Sequence, residues 1–393
     1  MAASEPNLLI DSGLPIFFDA GQALKLGVAM PADRHGQSVR VFARSLSVMQ
    51  KEAVVVSTAG GTAWRLASDE GPYLNGFDSA PCPLSFLTTG MVSATMNEML
   101  RLAASRGVRI DDLVLVQDNR YTMQGSALKG TMTGGALPVD LEVRCRTSAT
   151  DDELSALVSD ALRASPAHGL LDEVSASLFS LTVNGSPEPV GRARSLPPLA
   201  ESDPADSFPA TAPAGGMDPG LIRRLQAAET VHGVAGGAST SLSDNQSRQL
   251  HVRGTCRLLD DGRKEIVQEL FAPIGSTFRF VSDEDGRAPD AASYMAAGIA
   301  FCFMTQLGRY AHIRKKGLTS YAVIQDMHFS APGAAGGCVD PVETHVYLQT
   351  PEGTDFARDV LDMGEQTCFL HALCRTPLTT RVRTVRSQER APA

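Results

Sequence analysis

Cys302 and Cys368 are the residues of this 393-residue chain whose settings most suggest chemistry. Cys302 ends the run Ala296-Ala297-Gly298-Ile299-Ala300-Phe301-Cys302. Tyr294, Gly298 and Cys302 recur at i, i+4, which puts all three on one face of a helix with the glycine one turn from the thiol. A glycine there permits close approach of another helix or of a substrate. Cys368 opens Cys368-Phe369-Leu370-His371. A cysteine held as thiolate is a nucleophile or a redox centre, whereas one inside Ala-Phe-Cys-Phe-Met is ordinarily an inert buried hydrophobe. A comparison within the chain itself bears on that choice.

The chain repeats itself. Lys51-Glu52-Ala53-Val54 recurs as Lys264-Glu265-Ile266-Val267, an offset of 213 residues. Trp64-Arg65-Leu66-Ala67-Ser68-Asp69-Glu70 recurs as Phe278-Arg279-Phe280-Val281-Ser282-Asp283-Glu284 at 214, and Gly90 and Val116-Gln117-Asp118 recur as Gly298 and Ile324-Gln325-Asp326 at 208. Pro138-Val139 and His168 match Pro341-Val342 and His371 at 203. An ordered series whose offset changes in small steps is the mark of two diverged copies of one unit. Phe86, Gly90 and Ala94 then stand where Tyr294, Gly298 and Cys302 stand, and Ser165-Pro166-Ala167-His168 where Cys368-Phe369-Leu370-His371 stand. Both cysteine positions are lost together in the first copy, the pattern expected of a retired site if the two thiols serve one reaction.

Each copy predicts the same elements. β-type runs come first (38–45, 53–57 and 63–67; then 249–258, 265–271 and 276–281), followed by a long apolar helix (84–105; 291–315) that Gly107 and Gly317 are placed to end. A strand pair (112–117 and 137–146; 320–325 and 339–348) and an amphipathic helix (151–164; 355–373) close each copy. The repeated order predicts an α+β fold of two-layer domains: residues 1–185 as the first, 221–393 as the second, and a Pro-rich linker over 186–220. Eight prolines between Pro187 and Pro219 predict a linker that is extended, exposed and without a packed element.

Composition narrows the function. At 43% hydrophobic the chain can bury sizeable cores, and 35 Lys and Arg against 44 Asp and Glu give a net charge of −9, which argues against nucleic-acid or anionic-membrane partners. The longest wholly apolar stretch, Met295–Met304, has ten residues, short of the roughly 18–20 that cross a bilayer. Without an early Lys or Arg the N-terminus does not read as a secretory signal. Seven scattered cysteines do not form a disulfide scaffold, so the expected location is the cytoplasm. Cys82, Cys145, Cys256 and Cys338 have no counterpart cysteine and read as structural. Cys368, His371 and Cys374 share one helix face without an obvious fourth ligand, so no metal is expected, and His371, matched by His168, reads as a packing or capping residue. Gly233-Val234-Ala235-Gly236-Gly237 lacks the Gly-Lys-Ser/Thr of a phosphate loop.

The chain resembles the osmotically inducible protein C and organic hydroperoxide resistance (OsmC/Ohr) family. The resemblance rests on a helix of the type Pro-x-x-Leu-x-Ala-Ala-Gly-x-x-x-Cys, a later helix opening on cysteine, and an arginine on an earlier strand. Pro289, Ala296-Ala297-Gly298, Cys302, Cys368 and Arg279 supply these in the second copy; Pro83, Gly90, Ser165 and Arg65 supply the degenerate set in the first. Phe369-Leu370 replaces the family's Pro-Val, the interval from Pro289 to Cys302 is long, and Asp290 stands in for a glutamate. The resemblance implies a tandem form in which two OsmC-like domains make an intramolecular pseudo-dimer. It implies Cys302 as the attacking thiolate, Cys368 as the resolving thiol, and Arg279 or Arg65 as the charge that holds the thiolate, with Gly298, Tyr294 and Asp290 around the substrate.

The function implied is that of a thiol-dependent peroxidase acting on small organic hydroperoxides, needing no cofactor beyond an external dithiol reductant. A cysteine hydrolase or lyase attacking a carbon electrophile, and a non-catalytic small-molecule binding protein, are the alternatives. Association of the chain with further copies is left open.

Overall fold

The computed structural model describes residues 5–172, 174–209, 211–213, 221–228 and 246–386. The glycine-rich Gly233–Gly237 segment and the end of the proline-rich stretch lie outside them. The first half contributes β1 (Phe18–Gln22), β2 (Gly36–Ser45), β3 (Lys51–Ser57), β4 (Thr62–Ser68), α1 (Pro83–Ser105), β5 (Ile110–Gly125), β6 (Val139–Thr147), α2 (Asp151–Ala164), α3 (Pro166–Asp172) and β7 (Ser177–Val183). The second contributes β8 (Ile222–Gln226), β9 (Gln246–Leu258), β10 (Lys264–Ala272), β11 (Thr277–Ser282), α4 (Ala291–Arg314), β12 (Ser320–Ser330), β13 (Val342–Gln349), α5 (Thr354–Thr367), α6 (Phe369–Cys374) and β14 (Thr380–Arg386). The order is the same in both halves.

The strands form two mixed sheets, and each sheet draws on both halves. One runs β1-β4-β3-β2-β12-β13-β7; the other runs β8-β11-β10-β9-β5-β6-β14. Strand β2 pairs antiparallel with β12, Ala43 opposite Val323, and β9 pairs with β5, Gly254 opposite Gln117. Strands from residues 1–185 and from residues 221–393 therefore lie side by side in both sheets.

Helix α4 packs on β2, β3 and β12, α1 packs on β5, β9 and β10, and the two helices pack on each other between the sheets. Most residues of α1 and nearly all of α4 are buried, so their sequences are largely apolar all round rather than striped. Helix α4 is long and apolar enough to cross a membrane, despite the short wholly apolar run inside it, but it is a core helix buried in protein. Asp290 caps its start by accepting from the Ser293 N–H at 2.6 Å, and Lys315, at φ 53°, rather than Gly317, takes the left-handed position that ends it.

Side-chain alternation decides which strand residues reach the helices. On β3, Ala53 and Val55 join the central core while Val54 and Val56 face outward under Phe18, Ala23 and Val28. The proline-rich segment helps cover that outer face, contrary to the expectation of an unpacked linker. Ser186–Glu188 and Arg194–Ser195 both pair with β7, and Leu199, Ala205 and Phe208 pack on the outer apolar cluster. Edge pairing tolerates residues without a backbone N–H, and exposed apolar side chains in the segment gain by covering the sheet.

Candidate active site

The chain between α5 and α6 breaks at Cys368, whose backbone is extended at φ −68°, ψ 122°, where a single helix to Leu373 was expected. The Cys368 Sγ caps α6 by accepting from the His371 N–H at 3.5 Å. Helices α5 and α6 both pack on α4, and this sets Cys368 and the Leu370 N–H near enough to Cys302 to act on its thiol. Both cysteines are free thiols. Cys302 is 3% exposed; burial pushes its thiol well up, and the neighbouring Cys368 and Glu70 push in the same direction. In the first half Ser165 occupies the same break, its Oγ accepting from the Ala167 N–H at 3.3 Å, and Ala94 is buried where Cys302 would be.

Neither expected arginine points at these thiols. Trp64 and Leu66 face the central core, so Arg65 between them faces outward, where it pairs with Glu52 at 2.8 Å, donates to the Pro15 and Ile16 carbonyls, and lies over the Phe18 ring. Arg279, between the core residues Phe278 and Phe280, likewise faces away and pairs with Glu265 at 2.5 Å. The period of two along a strand excludes both from the helix side.

A buried cation on the thiol side is Lys51. In phase with Ala53 and Val55, it is fully buried, and its Nζ donates to the Met49 carbonyl at 2.5 Å and to Thr305 Oγ1 at 2.8 Å. Thr305 lies one turn beyond Cys302 on α4, and its Oγ1 is 3.0 Å from Glu70 Oε1, while Glu70 Oε2 accepts from the Tyr73 hydroxyl at 2.6 Å. Burial lowers the Lys51 ammonium and raises the Glu70 carboxyl from their ordinary values; Glu70, Asp69, Cys302 and Cys82 act on Lys51 in the opposite direction to burial. These residues escaped attention in sequence. Lys51 and Glu70 recur as Lys264 and Glu284, but a lysine opening a strand reads as exposed and Ser-Asp-Glu reads as a turn.

Tyr294, Gly298 and Asp290 serve the scaffold. The Tyr294 hydroxyl donates to the Val281 carbonyl at 2.7 Å and its ring packs on Phe86 and Phe280. Gly298 lies against the backbone of Pro83 and Leu87 on α1, and Asp290 caps α4 while accepting from Gln37 at 3.1 Å. His371 packs between Phe179 and Phe303, where burial pushes its imidazole down to about 4.

An open cavity of about 240 Å³ adjoins the site. Gln306 and Arg309 of α4, one and two turns beyond Cys302, line it together with Phe369, which is next to Cys368 in the chain, and with Tyr73, Met123, Leu250 and Arg248. An apolar wall with a few convergent polar groups is the usual character of a small-molecule site. The cavity beside Ser165 is about 20 Å³, room for little more than one water.

The family model described as OsmC-like protein matches residues 283–383. The second half of the chain is therefore OsmC-like over the stretch that carries Cys302 and Cys368. The crystal structure of an OsmC-like hydroperoxide resistance protein from Jannaschia sp. CCS1 is similar at 21% identity over 30% of this chain and 79% of that one, with a TM-score of 0.20. No curated protein matches the chain.

Proposed function

We propose that the protein is a cysteine peroxidase for small organic hydroperoxides, built as an internal pseudo-dimer of two OsmC-like units of which the second half's thiols are retained. The observation that carries this reading is the nearness of Cys302 to Cys368 across α4 and the α5–α6 break, close enough for the second thiol to act on the first. The Cys302 thiolate attacks one peroxide oxygen, the O–O bond breaks, and the sulfur becomes a sulfenic acid while the alkoxide takes a proton and leaves as alcohol. The Cys368 thiol then displaces water from that sulfenic acid to give a disulfide, which an external dithiol of the cell interior reduces. Lys51 supplies the positive charge for which the sequence offered an arginine. A nucleophile attacking carbon has no use for a second thiol beside it, so the nearness of Cys368 to Cys302 favours the redox cycle over hydrolysis.

The test is consumption of a small alkyl hydroperoxide with a dithiol as electron donor. Cys302→Ser is expected to reduce turnover to background. A Cys302→Ser protein that keeps the wild-type rate overturns the assignment.

A further inference from the structure

Arg309 and Arg248 carry two guanidinium groups to the wall of the cavity beside Phe369, and the remainder of that wall is mainly apolar. We infer that this cavity is a seat for a small organic carboxylate, its charge held by Arg309 and Arg248 and its apolar body lying against Met123, Leu250 and Phe369. This deepens the peroxidase reading and rests on it at one point, that the compound brought next to the thiols is a hydroperoxide carrying a carboxylate.

The first half shows what has changed. Gln306 and Arg309 stand on α4 where Glu98 and Arg101 stand on α1, at the same offset of 208 residues that relates Gly298 to Gly90. Glu98 and Arg101 form an ion pair at 2.8 Å, three residues apart on one helix. The other Glu98 oxygen, Oε1, accepts from the Gly333 N–H at 2.9 Å, so both carboxylate oxygens are engaged. On α4 the acid has become an amide, and Gln306 Oε1 accepts from Arg309 Nη1 at 3.3 Å. An amide oxygen takes a hydrogen bond but brings no charge. The arginine is kept and its helix carboxylate is exchanged for a neutral group, in the half that keeps the thiols. Where the first half holds a carboxylate of its own, the second half has an amide and an open cavity.

Burial sharpens the difference. The Arg101 side chain is 41% exposed, whereas Arg309 is 4% exposed. An anion gains more beside a buried guanidinium than beside one in solvent, because the local dielectric is lower, and the planar guanidinium matches a carboxylate in shape and spacing. Burial and the charge of Arg248 bring the Arg309 guanidinium down to about 10, and an anion bound beside both offsets that repulsion. Glu70 acts on Arg309 in the opposite direction, but its oxygens are engaged elsewhere: Oε1 is 3.0 Å from Thr305 Oγ1, and Oε2 accepts from the Tyr73 hydroxyl at 2.6 Å.

Size limits the occupant. The cavity, about 240 Å³, lies just below the roughly 300–1,000 Å³ usual for small-molecule sites. A short alkyl or a single-ring body fits those walls, with its acid group at the guanidinium end.

The experiment is titration calorimetry of the full-length reduced protein with octanoate and with octanamide, which matches octanoate in size and carries no charge. Octanoate is expected to bind more tightly than octanamide by on the order of tenfold or more. Gln306→Glu rebuilds the ion pair of the first half and is expected to weaken octanoate by on the order of tenfold or more, with octanamide held within about threefold. Arg309→Gln is expected to do the same, the urea midpoint confirming that each variant is folded. Should the change at buried Arg309 prevent folding, Gln306→Glu carries the test together with Arg248→Gln at its partly exposed position. Equal affinities for the two compounds, no binding of octanoate, or an unchanged octanoate affinity in folded Gln306→Glu overturns the seat. Selective octanoate binding by a protein that consumes no hydroperoxide overturns the peroxidase reading and leaves the seat standing; hydroperoxide consumption without octanoate binding does the reverse.

Discussion

Gly90 and Gly298 hold the same position on the two central helices, and each lies against the backbone of the other. A Cβ on Gly90 would meet the Ala291 carbonyl oxygen at 2.5 Å and Met295 N at 2.8 Å; a Cβ on Gly298 would meet Leu87 N at 2.7 Å and the Pro83 carbonyl oxygen at 3.1 Å. Pro83 and Leu87 are themselves the counterparts of Ala291 and Met295, so the contact is reciprocal. Two side-chain-free positions set the helix separation, and with it the distance from Cys302 to the sheets on either side.

That contact predicts the effect of the smallest possible change. Alanine favours helix over glycine by up to about 1 kcal/mol, but the added methyl meets backbone, which cannot turn aside, and overpacking a close-packed core costs about 1–3 kcal/mol. Gly298→Ala and Gly90→Ala should each lower stability by about 1–2 kcal/mol, read as a fall in the urea midpoint. An unchanged or raised midpoint in both would mean that the helices do not approach this closely.

The two arginines make a second prediction, because their surroundings separate charge from chemistry. Arg65 is buried with Glu52, which Arg44 also pairs at 2.7 Å. Arg65→Ala therefore removes one of that carboxylate's two partners and should cost less than the about 3–5 kcal/mol of a fully broken buried pair, on the order of 2 kcal/mol. Arg279, half-buried against Glu265, should cost less, about 1 kcal/mol or below. Since both face away from α4, Arg279→Ala should leave the Cys302 alkylation rate within about twofold of wild type. A larger loss in a folded Arg279→Ala protein would place that guanidinium functionally at the thiol.

Much of this fold was legible in sequence. Asp151–Ala164 was readable to its ends because Thr150 and Glu153 make a capping box there and the apolar positions keep one face. The paired copies were readable because their lysine–glutamate and glycine positions recur in order. The exchange of strands between sheets was not, since pairing partners carry no local signal, and the edge strands β8 and β14 escaped because Arg223, Arg224, Arg381 and Arg383 give them no apolar face. The phase error on the arginines was avoidable. Trp64, Leu66, Phe278 and Phe280 already marked the inward face, and the same alternation through Ala53 and Val55 pointed Lys51 inward.

His371 gives the molecule an acid-sensitive core position. Its imidazole titrates near 6.5 in the unfolded chain and at about 4 in the folded one, because burial disfavours the cation. Between those values the unfolded chain binds more protons, so stability is full above pH 6.5, falls as pH drops toward 4, and levels off below that. The loss is on the order of 3 kcal/mol. Both ring nitrogens lack a hydrogen-bond partner among the described residues, so His371→Leu should be close to neutral at pH 7 and should flatten this part of the profile. Urea midpoints measured from pH 7.5 to 4 decide it; a variant that keeps the wild-type slope would assign the acid loss to other groups.

Cys368 should govern the resolution of the oxidised thiol rather than the attack on peroxide. If its thiol resolves an oxidised Cys302, Cys368→Ala still reacts with one equivalent of hydroperoxide but cannot close the disulfide, so a dithiol-driven cycle should slow by on the order of a hundredfold. The oxidised Cys302 should then be captured as a sulfenic acid by a 1,3-dicarbonyl reagent, giving one adduct per chain, whereas the wild type should give a Cys302–Cys368 disulfide and little adduct. Oxidation buries no new charge, so the disulfide should form without unfolding, visible as an unchanged far-ultraviolet circular dichroism spectrum. Full steady-state turnover in Cys368→Ala, with no adduct at Cys302, would remove Cys368 from the reaction and favour a single-thiol mechanism.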